Sequence, residues 1–211
     1  MPTISENDLL LGRHRRAVQL SVDAVEAAAG APLTLETPCV GWDLRALLAH
    51  MATQNRGFAA AARGEDDPAV WQVRPAVDPI GDYPSSAEEV VAAFAGLGSF
   101  DRALALPEIP PGRIPAGLAV GFHLIDSVVH AWDVARTVGH TIDLDPDLAP
   151  TALRIAEAVP TGAFRELPGA AFAPAVDGPA DATLDRILRL LGRSPQWRPG
   201  GGGSGPWPTM G

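Results

Sequence analysis

Three residues with metal-binding side chains, His123, Asp126 and His130, lie in the apolar stretch Gly121-Phe-His-Leu-Ile-Asp-Ser-Val-Val-His-Ala-Trp-Asp133. A helical residue advances about 100°, so the spacings i, i+3 and i+7 put all three on one face. Leu124, Ile125, Val128, Val129 and Trp132 flank that face, and the segment therefore reads as a helix buried nearly all round. An isolated carboxylate there costs several kcal/mol unless it is paired or metal-bound, so Asp126 requires a cation. Asp126 and His130, at i and i+4, stand one above the other, the geometry by which a helix delivers two ligands to one ion. Two ligands do not hold a catalytic metal. The third is expected from His50, which sits inside another apolar helical run, Trp42-Asp-Leu-Arg-Ala-Leu-Leu-Ala-His-Met51.

The expected site is thus a divalent metal on His50, Asp126 and His130, with coordination positions left open as in catalytic rather than structural centres. His123, one turn before Asp126, is expected either as an outer ligand or, as the candidate proton shuttle, as an acid–base group facing the substrate. Two histidines and one carboxylate also hold non-haem iron, so the donors alone do not choose the metal. Asp133 is expected either to orient the His130 imidazole from behind or to pair with Arg136 on the helix surface. Cys39 has no base near it in sequence and is not expected to be a nucleophile. His14 and His140, in polar surroundings, are expected at the surface.

These side chains need helices to carry them. Ser5 with Asp8 three residues on forms a capping box for a first helix that ends by Gly30. A second helix is expected over 42–63, with Asp43 complementing its start, Trp42 packing and Gly64 stopping it. Proline and aspartate break the segment 64–84, a loop of the length that covers a site or moves; its Trp71 and Tyr83 either line a pocket or, as the commoner case, the Trp pins the loop to the core. Ser86 is expected to cap a third helix reaching about Leu106. Pro107, Pro110, Pro111 and Pro115 stiffen a connector that turns at Gly112, and a fourth helix over 116–139 carries the metal ligands. Shorter helices over 147–159 and 182–191, the latter capped by Asp181, complete an all-α, up-and-down four-helix bundle with no strand series.

A chain of 211 residues is one domain by length, and it can bury a core without a structural metal. The domain is placed over 1–199, followed by a flexible Gly-rich tail over 200–211 that ends in Pro-Trp-Pro-Thr-Met-Gly. Net charge is -9, and the 16 basic residues, all Arg, form no basic stripe, which argues against nucleic acid or an anionic membrane as partner. No apolar run is expected to reach the roughly 20 residues that span a bilayer. The N-terminus lacks the features of a signal peptide, and the single cysteine fits a reducing compartment, so a cytoplasmic monomer or homodimer acting on a small molecule is expected.

Three stretches together carry a family resemblance: Thr37-Pro-Cys-Val-Gly-Trp-Asp-Leu-Arg-Ala-Leu-Leu-Ala-His50, Asp126-Ser-Val-Val-His-Ala-Trp-Asp-Val-Ala-Arg-Thr-Val-Gly139, and Phe172-Ala-Pro-Ala-Val-Asp177 with Leu191-Gly-Arg-Ser-Pro195. They resemble the DinB-like metal-binding proteins related to the N-terminal domain of mycothiol-dependent maleylpyruvate isomerase. The resemblance implies a four-helix bundle and a divalent metal, zinc first and nickel or iron as alternatives, on a His of the second helix and a carboxylate-x-x-x-His pair of a later one. Those positions are His50, Asp126 and His130, although the isomerases carry Glu where this chain has Asp126. It also implies mycothiol as co-substrate in a thiol-transferase or isomerase reaction on a small electrophile. The alternatives are a metal-dependent biosynthetic enzyme without a thiol and a non-catalytic metal-binding or stress protein.

Overall fold

In the computed structural model, which describes residues 5–107, 109, 112–166 and 171–200, the helix ends follow from their capping residues. Helix α1, Glu6–Ala27, starts at Ser5, whose hydroxyl accepts from the Asp8 N–H at 3.1 Å while Asp8 accepts from the Ser5 N–H at 3.2 Å. Helix α2, Leu44–Arg63, is capped by Asp43, which accepts from the Ala46 N–H at 2.9 Å, and it ends on Gly64 in the left-handed conformation at φ 91°. Helix α4, Ala116–Thr137, closes with the Gly139 and His140 N–H groups bonded to the carbonyls of Arg136 and Ala135, at 3.2 and 2.8 Å. Helices α5, Ala149–Ala158, and α6, Thr183–Leu190, are each slightly shorter than expected, and α6 follows Ala182 with no side-chain cap from Asp181.

Helix α3 departs from expectation at both ends, running over Pro79–Ala95. Its cap is Asp78, which accepts from the Gly81 N–H at 3.0 Å; Ser86 lies inside the helix and gives its hydroxyl to the Tyr83 carbonyl at 2.8 Å. Pro79 stands in the first turn, where an N–H has no helical partner, and Pro84 leaves only the Ile80 carbonyl without its bond. Beyond Ala95 the expected helical turns are absent. Strands β1, Ala103–Ala105, and β2, Arg113–Pro115, pair antiparallel with Leu104 opposite Ile114, and both of these side chains point into the core. Three-residue strands are too short for their alternation to show in sequence, and Gly112, at φ 87°, makes the return. Pro110, Pro111 and the tail from residue 201 on lie outside the described residues.

The four long helices close a ring in which α1 packs on α4 and α3, and α2 packs on α3 and α4. This is an all-α, DinB-like bundle, with α5 laid on α4 and α6 on α5. A second, smaller apolar cluster around Leu124, Val128, Leu148 and Ile187 joins these short helices to the outer side of α4. Contrary to the expectation about apolar runs, α4 is long and apolar enough to cross a membrane by length and composition. Its most apolar window is nevertheless 83% buried inside the protein, and a helix enclosed by protein on all sides needs that composition.

The segment between α2 and α3 is fixed to α2. Its 3-10 turn, Pro68–Trp71, packs the Trp71 indole against Phe58 with ring centroids 5.4 Å apart, so Trp71 pins the segment. Gly57 makes room for it, since a β-carbon there would stand 2.5 Å from the indole. In a helix interior Gly→Ala ordinarily gains about 0.5–1 kcal/mol, whereas overpacking costs about 1–3 kcal/mol. We therefore expect Gly57→Ala to lower the urea midpoint and to speed proteolysis within 65–77; a raised midpoint would show that Trp71 does not need the gap.

Candidate metal centre

The loop before α2 folds back on itself, with the Thr37 N–H on the Trp42 carbonyl at 3.3 Å and the Leu44 N–H on the Leu35 carbonyl at 2.9 Å. This delivers Trp42 onto the His50 ring, centroids 4.8 Å apart, and Cys39 into the core beside α4. From α2, His50 faces His130 on α4 with ring centroids 5.3 Å apart, and His130 Nε2 lies 3.3 Å from Asp126 Oδ1. Donor atoms of His50, Asp126 and His130 all lie within 4.8 Å of one another. The expected three residues are therefore brought together from two facing helices. His130 is the deep member and Asp126 the accessible one, its side chain 23% exposed against 6% for His130.

The donor set fits a divalent ion. Burial pushes His50 down to about 4, helped by the neighbouring His130, so its imidazole is neutral with a lone pair to give. Burial alone would lower His130 and raise Asp126; their mutual attraction outweighs it, holding His130 well above its ordinary value and Asp126 below its own. Without a metal the pair is an internal ion pair. A bound cation would take the place of the His130 proton on Nε2.

The other His130 nitrogen settles the role of Asp133. Nδ1 lies 2.9 Å from Asp133 Oδ2, so the carboxylate orients the imidazole from behind and leaves Nε2 facing Asp126. Arg136 is not its partner; it reaches the Pro195 carbonyl at 3.0 Å and lies over Trp132. The cation on Asp133 is Arg193, whose Nη2 donates to Oδ2 at 3.0 Å and whose Nε donates to Oδ1 at 3.4 Å. Cys39 also donates to Oδ2, at 3.2 Å, and its thiol is raised by burial and by that carboxylate, which keeps it protonated.

His123 stands apart from this group. It is 1% exposed, packed edge-on against Phe58, with both ring nitrogens committed to protein partners. Since its Nε2 lies 3.0 Å from Asn55 Oδ1, an acceptor, Nε2 carries the proton and Nδ1 must accept from His14 Nε2 at 2.9 Å. Asn55 passes its own N–H to Ser86 Oγ at 2.9 Å. The chain from His14 through His123 and Asn55 to Ser86 thus has one direction and touches all four bundle helices. His14, expected at the surface, is 1% exposed, because its apolar neighbours lie at helical spacing while its polar ones are merely adjacent in sequence. His140 is at the surface as expected.

Sequence reasoning did not single out Arg193 or Asn55 as parts of these networks. Arg193 follows Gly192 at the end of α6, where an arginine ordinarily points to solvent; no local signal marks it as buried. His14 had a signal, since Leu10, Leu11, Ala17 and Val18 surround it at i±3 and i±4.

Comparison with known proteins identifies the family of the chain. The family described as the mycothiol maleylpyruvate isomerase N-terminal domain matches residues 14–135. Two uncharacterized proteins of Mycobacterium tuberculosis, from strains CDC 1551 and H37Rv, are each 29% identical over 167 residues, covering 75% of this chain and 83% of theirs. No solved structure matches the chain significantly.

The directed chain requires both of its histidines to be neutral. Burial lowers His123 to about 4 and lowers His14 well below its ordinary value, against about 6.5 for an unfolded histidine. Below pH 6.5 the unfolded chain therefore binds protons that the folded chain refuses, and stability present above 6.5 is lost as pH falls towards 4. Between pH 7 and 5 the shift of His123 should remove about 2 kcal/mol, and His14 acts in the same direction. Urea unfolding of chelator-treated protein should show this loss, and a His14→Asn/His123→Asn double variant should show a flatter pH dependence; an equally steep one would exclude these histidines as its source.

Proposed function

Because this chain belongs to the family of the mycothiol maleylpyruvate isomerase N-terminal domain, we propose that it is a divalent-metal-dependent enzyme of the mycothiol-linked transferase or isomerase type, acting on a small electrophile. The observation that carries the reading is the convergence of His50, Asp126 and His130 from α2 and α4, with donors within 4.8 Å and the carboxylate towards the open side. Zinc suits two imidazoles and one carboxylate, and nickel or iron are the alternatives. An ion held there would lower the pKa of a thiol or water and so supply a nucleophile at neutral pH.

The chain's own residues have separate tasks in this reading. His50 and His130 present neutral nitrogens, and Asp126 supplies the negative charge beside the opening. Asp133 fixes the His130 ring so that Nε2 stays directed at the site, a role whose loss typically costs 10–100-fold in metal affinity. Trp42 closes one face of His50 against water. His123 has no open nitrogen through which to move a proton of the substrate, so in this geometry it is a positioning residue of the bundle core.

Elemental analysis of protein purified without added metal should find about one divalent ion per chain, lost in His50→Ala and in Asp126→Ala. The loaded protein should then consume mycothiol in the presence of an electrophile such as a cis-unsaturated keto acid, and a chelator should stop it. Absence of any ion after incubation with zinc, nickel and iron(II) would remove the metal reading. Ion binding without thiol consumption, but with turnover of an electrophile by water, would favour the enzyme without a thiol.

A further inference from the structure

A second group of metal-binding side chains shares His130. Donor atoms of Cys39, His130 and Asp133 also lie within 4.8 Å of one another, and thiolate, imidazole and carboxylate are a donor set for zinc. Cys39 comes from the loop before α2, while His130 and Asp133 come from α4, on the Nδ1 side of the His130 ring. This group faces away from Asp126, so an ion on it would compete for His130 with the site proposed above.

The guanidinium of Arg193 already stands among these donors. Nη2 lies 3.0 Å from Asp133 Oδ2 and 3.4 Å from Cys39 Sγ, and the residue is 5% exposed. Its placement is built into the backbone. Gly192, at φ 79°, ends α6 with its back against Ala173, whose backbone oxygen would lie 2.9 Å from a β-carbon, so only glycine fits. The Arg193 N–H then closes on the Leu188 carbonyl at 2.8 Å, turning the side chain inward, and Phe172 stacks on the guanidinium at 5.9 Å. The Phe172 segment is held in turn by buried Arg165, which donates to the carbonyls of Ala173 and Leu190.

From this geometry we propose that Arg193 is a resident cation that occupies a latent Cys39–His130–Asp133 metal site, keeping metal ions off the cysteine and His130 free for His50 and Asp126. The second half of that statement rests on the function proposed above; the first half does not. An arginine performs this task because it is permanently charged, cannot be displaced by deprotonation and engages Asp133 through two nitrogens. Loss of Arg193 alone would leave Cys39 a thiol; a divalent ion entering in its place would displace the thiol proton and the Nδ1 proton of His130 to solvent, and Cys39 would then ligate as thiolate with Asp133 and His130 Nδ1.

The test is cobalt(II) titration followed by absorption, because thiolate ligation gives a near-ultraviolet charge-transfer band that histidine and carboxylate do not. The unmodified chain should bind cobalt without that band. Arg193→Ala should gain it, Arg193→Lys should not, and Cys39→Ser in the Arg193→Ala background should abolish it. Arg193→Gln, of similar size but neutral, gives the same readout should the alanine variant not fold. The proposal is overturned by a thiolate band in the unmodified chain, or by its absence from folded Arg193→Ala or Arg193→Gln at saturating cobalt. Failure of the unmodified chain to bind cobalt would count against the proposed function alone, since the Cys39-dependent band in the variant would still appear.

Discussion

Asp133 is a carboxylate with no solvent exposure, and much of the molecule is arranged around that fact. A buried charge is tolerated only when every lone pair is occupied and an opposite charge stands beside it. Here Oδ2 accepts from His130, Arg193 and Cys39, and Oδ1 accepts from Arg193. These donors come from α4, the loop before α2 and the turn after α6. One side chain therefore ties the C-terminal segment and the first interhelical loop to the helix bearing the candidate ligands. Removing one partner of such a buried pair typically costs about 3–5 kcal/mol, which couples the fold of that region to the orientation of His130.

Helix α4 carries a second buried polar system, about three turns before Asp133, at His123. Being neutral and hydrogen-bonded in one direction through His14, Asn55 and Ser86, it has a different purpose. An apolar interface tolerates sliding, but an imidazole whose two nitrogens must meet an Asn oxygen and another imidazole fits one register only. The network therefore sets how α1, α2 and α3 stand against α4. That in turn decides whether His50 on α2 comes opposite His130 at all.

The part of this legible in sequence is the part that obeys a helical period. The pairing of Asp126 with His130 follows from i, i+4, and His50 from its place in an apolar run; both are on the page once a chain is read as helix. Helix α2 and the end of α4 were marked by Asp43, Gly64 and Gly139, residues whose backbone chemistry acts locally. What escaped was set by distant contact. Arg193 meets Asp133 across 60 residues, and nothing near either announces the other. The Asp78 start of α3 is hidden because Pro84 reads as a helix breaker, although the helix continues through it. His14 was misplaced because adjacent arginines outweighed apolar residues a turn away.

Charge at the candidate centre sets what an ion there would need beside it. Asp126 and Asp133 are negative, His130 and Arg193 positive, and His50 and Cys39 neutral, so the metal-free cluster sums to zero. Exchange of the His130 proton for a divalent ion would leave one net positive charge in a half-buried site. Low local dielectric makes that charge costly unless an anion accompanies it. The protein side cannot supply one, since Cys39 is held as a thiol behind His130 and Asp133 is already matched by Arg193. With an ion bound, the compensating charge would have to enter from the open side by Asp126. A thiol or a water that loses its proton on arrival would meet that requirement, where a ligand that stays neutral would not.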